Sequence, residues 1–494
     1  MTDEPRRPRN ILDILPDDVF AAIFEVAYLH HFPHCRLHDG LILDSPIAAS
    51  HVCRRWRRVS LSLSSLWSCI HVMPHQGRHS ARITETYLAR SGLISPVSIV
   101  MGCLVTNFER RPDWDKVFDE FAITLWPPFE TSWALLLAHK HRWKHCALAS
   151  LHQEVTEQLL QSLKGSSLPL LEYFSVISYS EVDESLTSTA LDVSAPALVH
   201  LRTDVVPMLS SPQDVFGKLT HFKLHNMTPN SIDVLRVLKI ASATLVDITF
   251  ANVHFVTEEA VSQISLPLVC RMTMQDVTES KRKSLSTSFV ATVCNSAAAL
   301  KDLYISSEGQ LLQDIEETQL SFPTVETLQI ILSPTQLLPL VFLHAFPAVT
   351  AVDIISMNFM HVSRPNPRYL HFAMQLGALR PAPFWPLLQT LKLTGIDDEA
   401  TVTKFVGTRH RSGHPIKRLV LGKETYSLGR QALDLCAKIG VKVSYKDHFD
   451  EFMLYGQHNP IPPWDPVTDK PAFVPWENIR CSWEFDDQFP LRFE

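Results

Sequence analysis

The stretch "LTHFKL", residues 219–224, sets apolar side chains at Leu219, Phe222 and Leu224, and "LVDITF", residues 245–250, repeats the arrangement at Leu245, Ile248 and Phe250. The last two apolar positions of each copy lie two residues apart, the period of a β-strand whose alternate side chains enter a core. One copy alone would mean no more than a buried strand. The pattern recurs, however, in "LLEYFSV" (Leu171, Phe174, Val176), "LVHLRT" (Leu198, Leu201), "VCRMTM" (Val269, Met272, Met274) and "LKDLYI" (Leu300, Leu303, Ile305). It continues in "VETLQI" (Val325, Leu328, Ile330), "VTAVDI" (Val349, Val352, Ile354), "LQTLKL" (Leu388, Leu391, Leu393) and "IKRLVL" (Ile416, Leu419, Leu421). Weaker copies precede these at "ISPVSI" (Ile94, Val97, Ile99) and "WKHCAL" (Trp143, Cys146, Leu148). Copies in series point to stacked units, each burying its apolar face only against its neighbours. Residues 231–243 and 426–440 carry helical spacing and would fill the outer side, so the expected fold class is α/β.

This series resembles the LxxLxL core of leucine-rich repeats, in divergent form. Among the ten stronger copies the step runs from 21 residues (Leu198 to Leu219) to 39 (Val349 to Leu388), where regular arrays keep about 20–29. The asparagine usual three residues after the last leucine is absent: Tyr179, Val206, Met227, Val253, Val277, Met357 and Ile396 stand there. The resemblance implies a curved solenoid over residues 73–446, closing near "VKVSYK" (441–446) and followed by an acidic, aromatic tail over 447–494.

The N-terminal region has a different rhythm. In "LPDDVFAAIFEVA" (15–27), Pro16 suits a first helical turn, Asp17 and Asp18 suit the positive end of the helix dipole, and Val19, Phe20, Ile23, Phe24 and Ala27 mark one apolar face. A second helix is expected through "DSPIAASHVCRRWRRV", capped by Ser45, with Ala49, Val52, Trp56 and Val59 buried and most of Arg54, Arg55, Arg57 and Arg58 on the other side. "SSLWSCI" reads as a short third helix presenting Leu66 and Trp67. Taken alone, RRWRR has three readings: a solvated face behind a core tryptophan, a nucleic-acid or nuclear-import patch, or a face for an acidic partner.

The order Leu15-Pro16, Val19, Ile23-Phe24, Val52-Cys53, Trp56, Leu66-Trp67 resembles the F-box, in particular the F-box-like domain common in proteins of mushroom-forming fungi. The resemblance spans residues 15–72, behind a short tail over 1–14, and departs from a compact F-box in the long gap holding "HHFPHCRLHDG". It implies that Leu15, Pro16, Val19, Ile23, Phe24, Val52, Cys53, Trp56, Leu66 and Trp67 form the helices and the face that dock on a Skp-type adaptor, and through it on cullin.

Composition narrows the rest. A net charge of −7 argues against bulk affinity for nucleic acid. No apolar run approaches the roughly 20 residues of a membrane span, and nine scattered cysteines without a CxxC pair read as reduced thiols of a cytoplasmic or nuclear protein. His30, His31, His34, Cys35 and His38, and then His139, His141, His145 and Cys146, invite a metal reading. Neither set has the spaced pairs of a zinc site, so no metal and no cofactor is expected. Phosphate-loop, dinucleotide, nucleophile-elbow and HExxH motifs are absent, and no enzymatic activity is expected.

The expectation is therefore a substrate receptor of an SCF-type cullin-RING ubiquitin ligase, binding the adaptor through the N-terminal helices and a protein target through the repeats. The alternative is an interaction scaffold outside any ligase. In each LxxLxL strand the intervening residues face away from the core, which puts Tyr173, His200, Arg202, His221, Lys223, Asp247, Arg271, Asp302, Tyr304 and Lys392 on one surface for a target.

Overall fold

The computed structural model describes residues 15–31, 45–72, 79–102, 130–150, 153–178, 193–204, 216–259, 262–281, 288–306, 321–332, 343–356, 384–394, 399–422, 430–446, 464–465 and 470–471. The tails over 1–14 and 447–494, apart from a two-residue antiparallel pair (Trp464–Asp465 with Lys470–Pro471), and the segment holding His34, Cys35 and His38 lie outside them.

The fold is α/β, built on one large parallel sheet. All twelve copies of the apolar pattern are strands of it: β2 (Val97–Gly102), β3 (Trp143–Ser150), β4 (Tyr173–Ser178), β5 (His200–Thr203), β6 (His221–Met227), β7 (Asp247–Thr257), β8 (Arg271–Gln275), β9 (Asp302–Ser306), β10 (Thr327–Leu332), β11 (Ala351–Ser356), β12 (Thr390–Thr394) and β13 (Arg418–Gly422). β1 (Cys69–Val72) precedes them and β14 (Lys442–Lys446) follows, and each strand pairs in parallel with the next one in the chain. β1 falls inside the segment assigned to the N-terminal module, so the sheet starts before residue 73.

Register explains why the pattern works. Leu201, Phe222, Ile248, Met272, Leu303, Leu328, Val352, Leu391 and Leu419 are mutual partners along the sheet, and each is almost wholly buried. The first apolar residue of each copy serves a different end. Before six strands it closes a β-turn whose second residue is proline: Pro169, Pro196, Pro267, Pro323, Pro347 and Pro386. The Leu171 N–H donates to Leu168 O at 3.2 Å, Leu198 to Ala195 O at 3.0 Å and Leu388 to Trp385 O at 3.0 Å. Proline's fixed φ suits that position, and the residues at the two ends of the turn, such as Leu168 and Leu171, are buried.

A polar ladder does exist at the strand ends, one residue earlier than the leucine-rich-repeat spacing places it. Asn226, Asn252 and Asp276 have φ of 47°, 54° and 48°, a left-handed conformation that Asn and Asp tolerate better than other side chains. The Asn252 amide donates to Asn226 Oδ1 at 3.0 Å, and Ser306 Oγ donates to Asp276 Oδ1 at 2.5 Å. The turn this makes lets Met227, Val253 and Val277, the residues that follow, reach the core.

Helices fill the other side of the sheet where the sequence expected them. Asn230 caps Ser231–Ile240 by accepting from the Ile232 N–H at 3.0 Å, and Arg430–Lys438 lies within the second expected helical segment. No helix among the described residues is long and apolar enough to cross a membrane.

Candidate functional site: helical docking surface and polar sheet face

Three helices and a 3-10 turn precede β1: α1 (Asp17–His31), α2 (Ser45–Val52), α3 (Arg54–Ser62) and Ser64–Trp67. Pro16 stands just before α1 rather than in its first turn, and its carbonyl accepts from the Phe20 N–H at 3.3 Å. The single helix expected from Ser45 to Val59 is two. Cys53 is extended (φ −156°, ψ 170°) and caps α3, its Sγ accepting from the Trp56 N–H at 3.4 Å.

Burial splits the residues of the F-box resemblance. Phe24, Leu66 and Trp67 are core, so they hold the module together and are not available to a partner. The Trp67 indole donates to Ser60 O at 2.8 Å, meets Tyr87 edge-on at 5.1 Å and lies under the Arg90 guanidinium at 4.2 Å. Trp56 is half-buried, packed on Phe24 at 5.0 Å and Phe20 at 5.8 Å. Leu15 is also half-buried, while Pro16 and Cys53 are exposed.

The expected apolar face of α1 is in fact two faces. Phe20 and Phe24 point inward. Val19 (37% exposed), Ile23 (49%) and Val26 (54%) point outward at helical spacing, and Val52 (60%) is exposed at the end of α2 instead of buried with Trp56. The missed residue is Val26; the seven-residue step from Val19 was its signal. Exposed apolar side chains grouped on one helix face mark an interaction surface more often than scattered ones do.

The arginine cluster serves the module itself. Asp17 binds Arg55 Nε at 2.7 Å and Arg58 Nη2 at 2.6 Å, tying α1 to α3. These two arginines, Arg55 first, hold the Asp17 carboxyl below its usual range. Arg55 also donates to Leu15 O and sits over the Phe20 ring at 4.8 Å, while Arg57 Nε donates to Ser50 O at 2.8 Å.

The second candidate surface is the face of the sheet turned away from the apolar core, and register places the expected target residues on it in two rows. Tyr173, His200, His221, Asp247, Arg271 and Asp302 are successive partners in one row. Ser175, Arg202, Lys223, Thr249, Thr273 and Tyr304 form the next, which runs on to Asp353 and Lys392. The rows are less open than an ordinary polar face: Arg202, Asp247, Tyr304 and Asp353 are all buried.

Charge changes along the rows. From β7 onward cations and anions alternate in pairs, Arg271 with Asp247 at 3.3 Å and Lys392 with Asp353 at 2.5 Å. On β5 and β6 the face carries His200, Arg202, His221, Lys223 and, missed by the sequence reading, His225. His225 is simply the next alternate residue after Lys223. It is buried, and burial, reinforced by Arg202 and Lys223, pushes its pKa well below the usual histidine value. The rings of Tyr173, His200 and His221 follow one another at 6.2 and 4.2 Å.

Of the residues weighed as metal ligands, the set His30, His31, His34, Cys35 and His38 lies outside the described side chains, and His145 and Cys146 of the second set face opposite ways. Cys146 points into the core, where burial pushes its thiol pKa up, whereas His145 lies on the opposite face, hydrogen-bonded to Ser98 Oγ at 2.8 Å. The His139 and His141 rings lie 6.3 Å apart. Among the described residues no three His, Cys, Asp or Glu side chains group as a metal site would require.

Together these features define an α/β protein with an apolar stripe on its first helix and a polar, partly buried strand face. Compared with models of known protein families and with curated proteins, the chain matches none.

Proposed function

We propose that this chain is the substrate receptor of an SCF-type cullin-RING ubiquitin ligase, with an F-box-like module at residues 15–72 and a divergent leucine-rich-repeat-like solenoid after it. The observation that carries the proposal is the α1 stripe of Val19, Ile23 and Val26, left outside while Phe20 and Phe24 fill the core. Free apolar surface of this kind gains about 25 cal/mol per Å² when a partner covers it. The adaptor would meet that stripe together with Leu15, Pro16, Val52 and Cys53. Phe24, Trp56, Leu66 and Trp67 would support the surface from behind.

The strand order supports the solenoid reading, since each of β1 to β14 pairs with the next in that series, as stacked repeats require, and among the described residues only Thr278–Lys281 joins the sheet off that path, on β7. The target would bind the polar face, with Tyr173, His200, Arg202, His221, Lys223, Arg271 and Tyr304 as contacts. The mechanism is proximity. The chain supplies no transfer chemistry; it raises the effective concentration of target lysines near the recruited conjugating enzyme. Such a receptor works in the cytoplasm or nucleus, and three of the four RRWRR arginines already bond within the module, which leaves less of the cluster for nucleic acid.

The test is affinity purification of the full chain from cells that contain the adaptor and cullin. Recovery of both supports the proposal. Recovery of the adaptor without cullin favours a scaffold outside the ligase, and recovery of neither overturns the ligase reading.

A further inference from the structure

We propose that the sheet ends at β14 in a docking surface whose occupant is the chain's own acidic, aromatic segment 447–494. This surface lies at the opposite end of the sheet from β1 and owes nothing to the ligase reading.

The apolar core runs out at β14. Leu419 and Leu421 are almost wholly buried, whereas their register partners Val443 and Tyr445 are, in turn, half-buried and 39% exposed. Leu433, Leu435 and Ile439, in and just after the helix Arg430–Lys438, are likewise only half-buried. Among the described residues β14 pairs with β13 alone, so its outer edge offers unpaired N–H and C=O groups. The last unit of a stack has no neighbour to cover its apolar face, and a cap must supply that cover.

Charge selects the occupant. Earlier in the sheet, cations at the strand starts meet acids: Lys301 meets Glu326 at 3.7 Å and Arg271 meets Asp247 at 3.3 Å. Lys417 and Arg418 hold the same two positions on β13, with Gln389 and Thr390 beside them on one side and Val441 and Lys442 on the other. No acid adjoins them there, and Arg418 faces Lys442 across the strands, a like-charge pair that is unfavourable without a counter-charge. Lys404, Arg411 and Lys438 on the last two helices are exposed as well, and Asp434 is the one exposed acid among the described residues from 399 to 446. None of these six cations enters an ion pair among the described residues. From Glu399 to Lys446 ten Lys and Arg stand against three Asp and Glu, a net charge of +7. Segment 447–494 reverses this, with three against ten and a net charge of −7, and ten of its 48 residues are aromatic. It thus brings both things this end lacks, acids for the cations and apolar rings for the core. It follows Lys446 directly, so tethering gives it an effective concentration on the order of millimolar, ahead of a separate acidic partner. A second copy seated on the same surface would set these cations against their own kind.

The experiment is hydrogen exchange of the full chain, read by mass spectrometry over β14 and segment 447–494, with β6 as the measure of an intact fold. The variants are Arg418→Glu with Lys442→Glu, and, as a control, Lys164→Glu with Lys218→Glu, two exposed cations elsewhere. In the wild type, part of segment 447–494 should exchange at least about tenfold more slowly than a free peptide of the same sequence. The Arg418 and Lys442 reversal should speed that exchange, and exchange of β14, at least about fivefold, while β6 stays protected and the control pair changes nothing. Raising the salt from about 0.05 M to about 0.5 M should speed both in the wild type, since exposed charge pairs are screened; this arm decides the matter if the reversal also exposes β6. Exchange of the whole segment at the free-peptide rate, no response to the reversal with β6 intact, an equal response in the control pair, or no response to salt would each overturn the proposal. Protection of β14 that falls on dilution of the protein would do so too, because it would give the edge to a second copy.

Discussion

Ile23→Asp separates the adaptor-docking role proposed for α1 from its structural role. Ile23 is 49% exposed, so about half its side chain remains for a partner to cover. Full burial of an isoleucine is worth about 1.5–3 kcal/mol, which makes the uncovered half worth about 1 kcal/mol. An unpaired carboxylate forced into the same contact costs at least about 2 kcal/mol more. The sum, about 3 kcal/mol, corresponds to a loss of adaptor affinity of roughly 150-fold. In the free protein the aspartate stays in water, so stability should change by no more than about 0.5 kcal/mol. Phe24 must be left alone, because it is buried against Trp56 and its replacement would damage the module whether or not an adaptor binds. The assay is titration of purified adaptor into wild type and Ile23→Asp, with a thermal melt of each. Adaptor binding within about threefold of wild type by a variant that melts normally would refute the assignment of the stripe.

Three further outcomes follow from the geometry. Trp56→Ala removes a half-buried ring packed on Phe20 and Phe24 and should destabilise the protein by roughly 3 kcal/mol; an unchanged melting temperature would show that the ring does not hold the helices. Asn252→Ala, at φ 54° with loss of the bond to Asn226, should cost about 1–2 kcal/mol while Asn252→Gly costs less, and equal denaturant midpoints for the two would contradict the left-handed role. His145, whose pKa is lowered from 6.5 to about 4 chiefly by burial and then by Lys144, resists protonation when folded, whereas the unfolded chain takes up the proton below about 6.5. Its contribution is therefore lost as pH falls from about 6.5 to about 4, by up to about 3 kcal/mol, and denaturation of His145→Gln should show a shallower acid decline than wild type.

Much of the sheet was legible because its signal is local and repeated. Two apolar residues two apart, preceded by a third, can be recognised without knowing what they touch, and twelve copies averaged out the irregular spacing between them. β1 escaped although "WSCIHV" carries the same pattern at Trp67, Ile70 and Val72, because it sits inside what reads as a helical module. The asparagine ladder escaped because its residues stand one place before the expected position, where a left-handed turn, invisible in the sequence, admits them.

By itself the sequence determined which residues are apolar, their period and therefore the α/β class, and the order of helical module and strands. It could not divide one apolar stripe into an inner and an outer face. Val19 and Ile23 are as apolar as Phe20 and Phe24, and only the packing of α1 against Trp56 and the 3-10 turn decides which pair faces solvent. The same holds on the polar face. Arginine is charged wherever it stands, but whether it is paired depends on strand register, which brings Arg271 beside Asp247 and leaves Arg202 between Ser175 and Lys223. Period is a property of neighbours along the chain, whereas burial and charge pairing arise between residues tens of positions apart, and those the fold alone brings together.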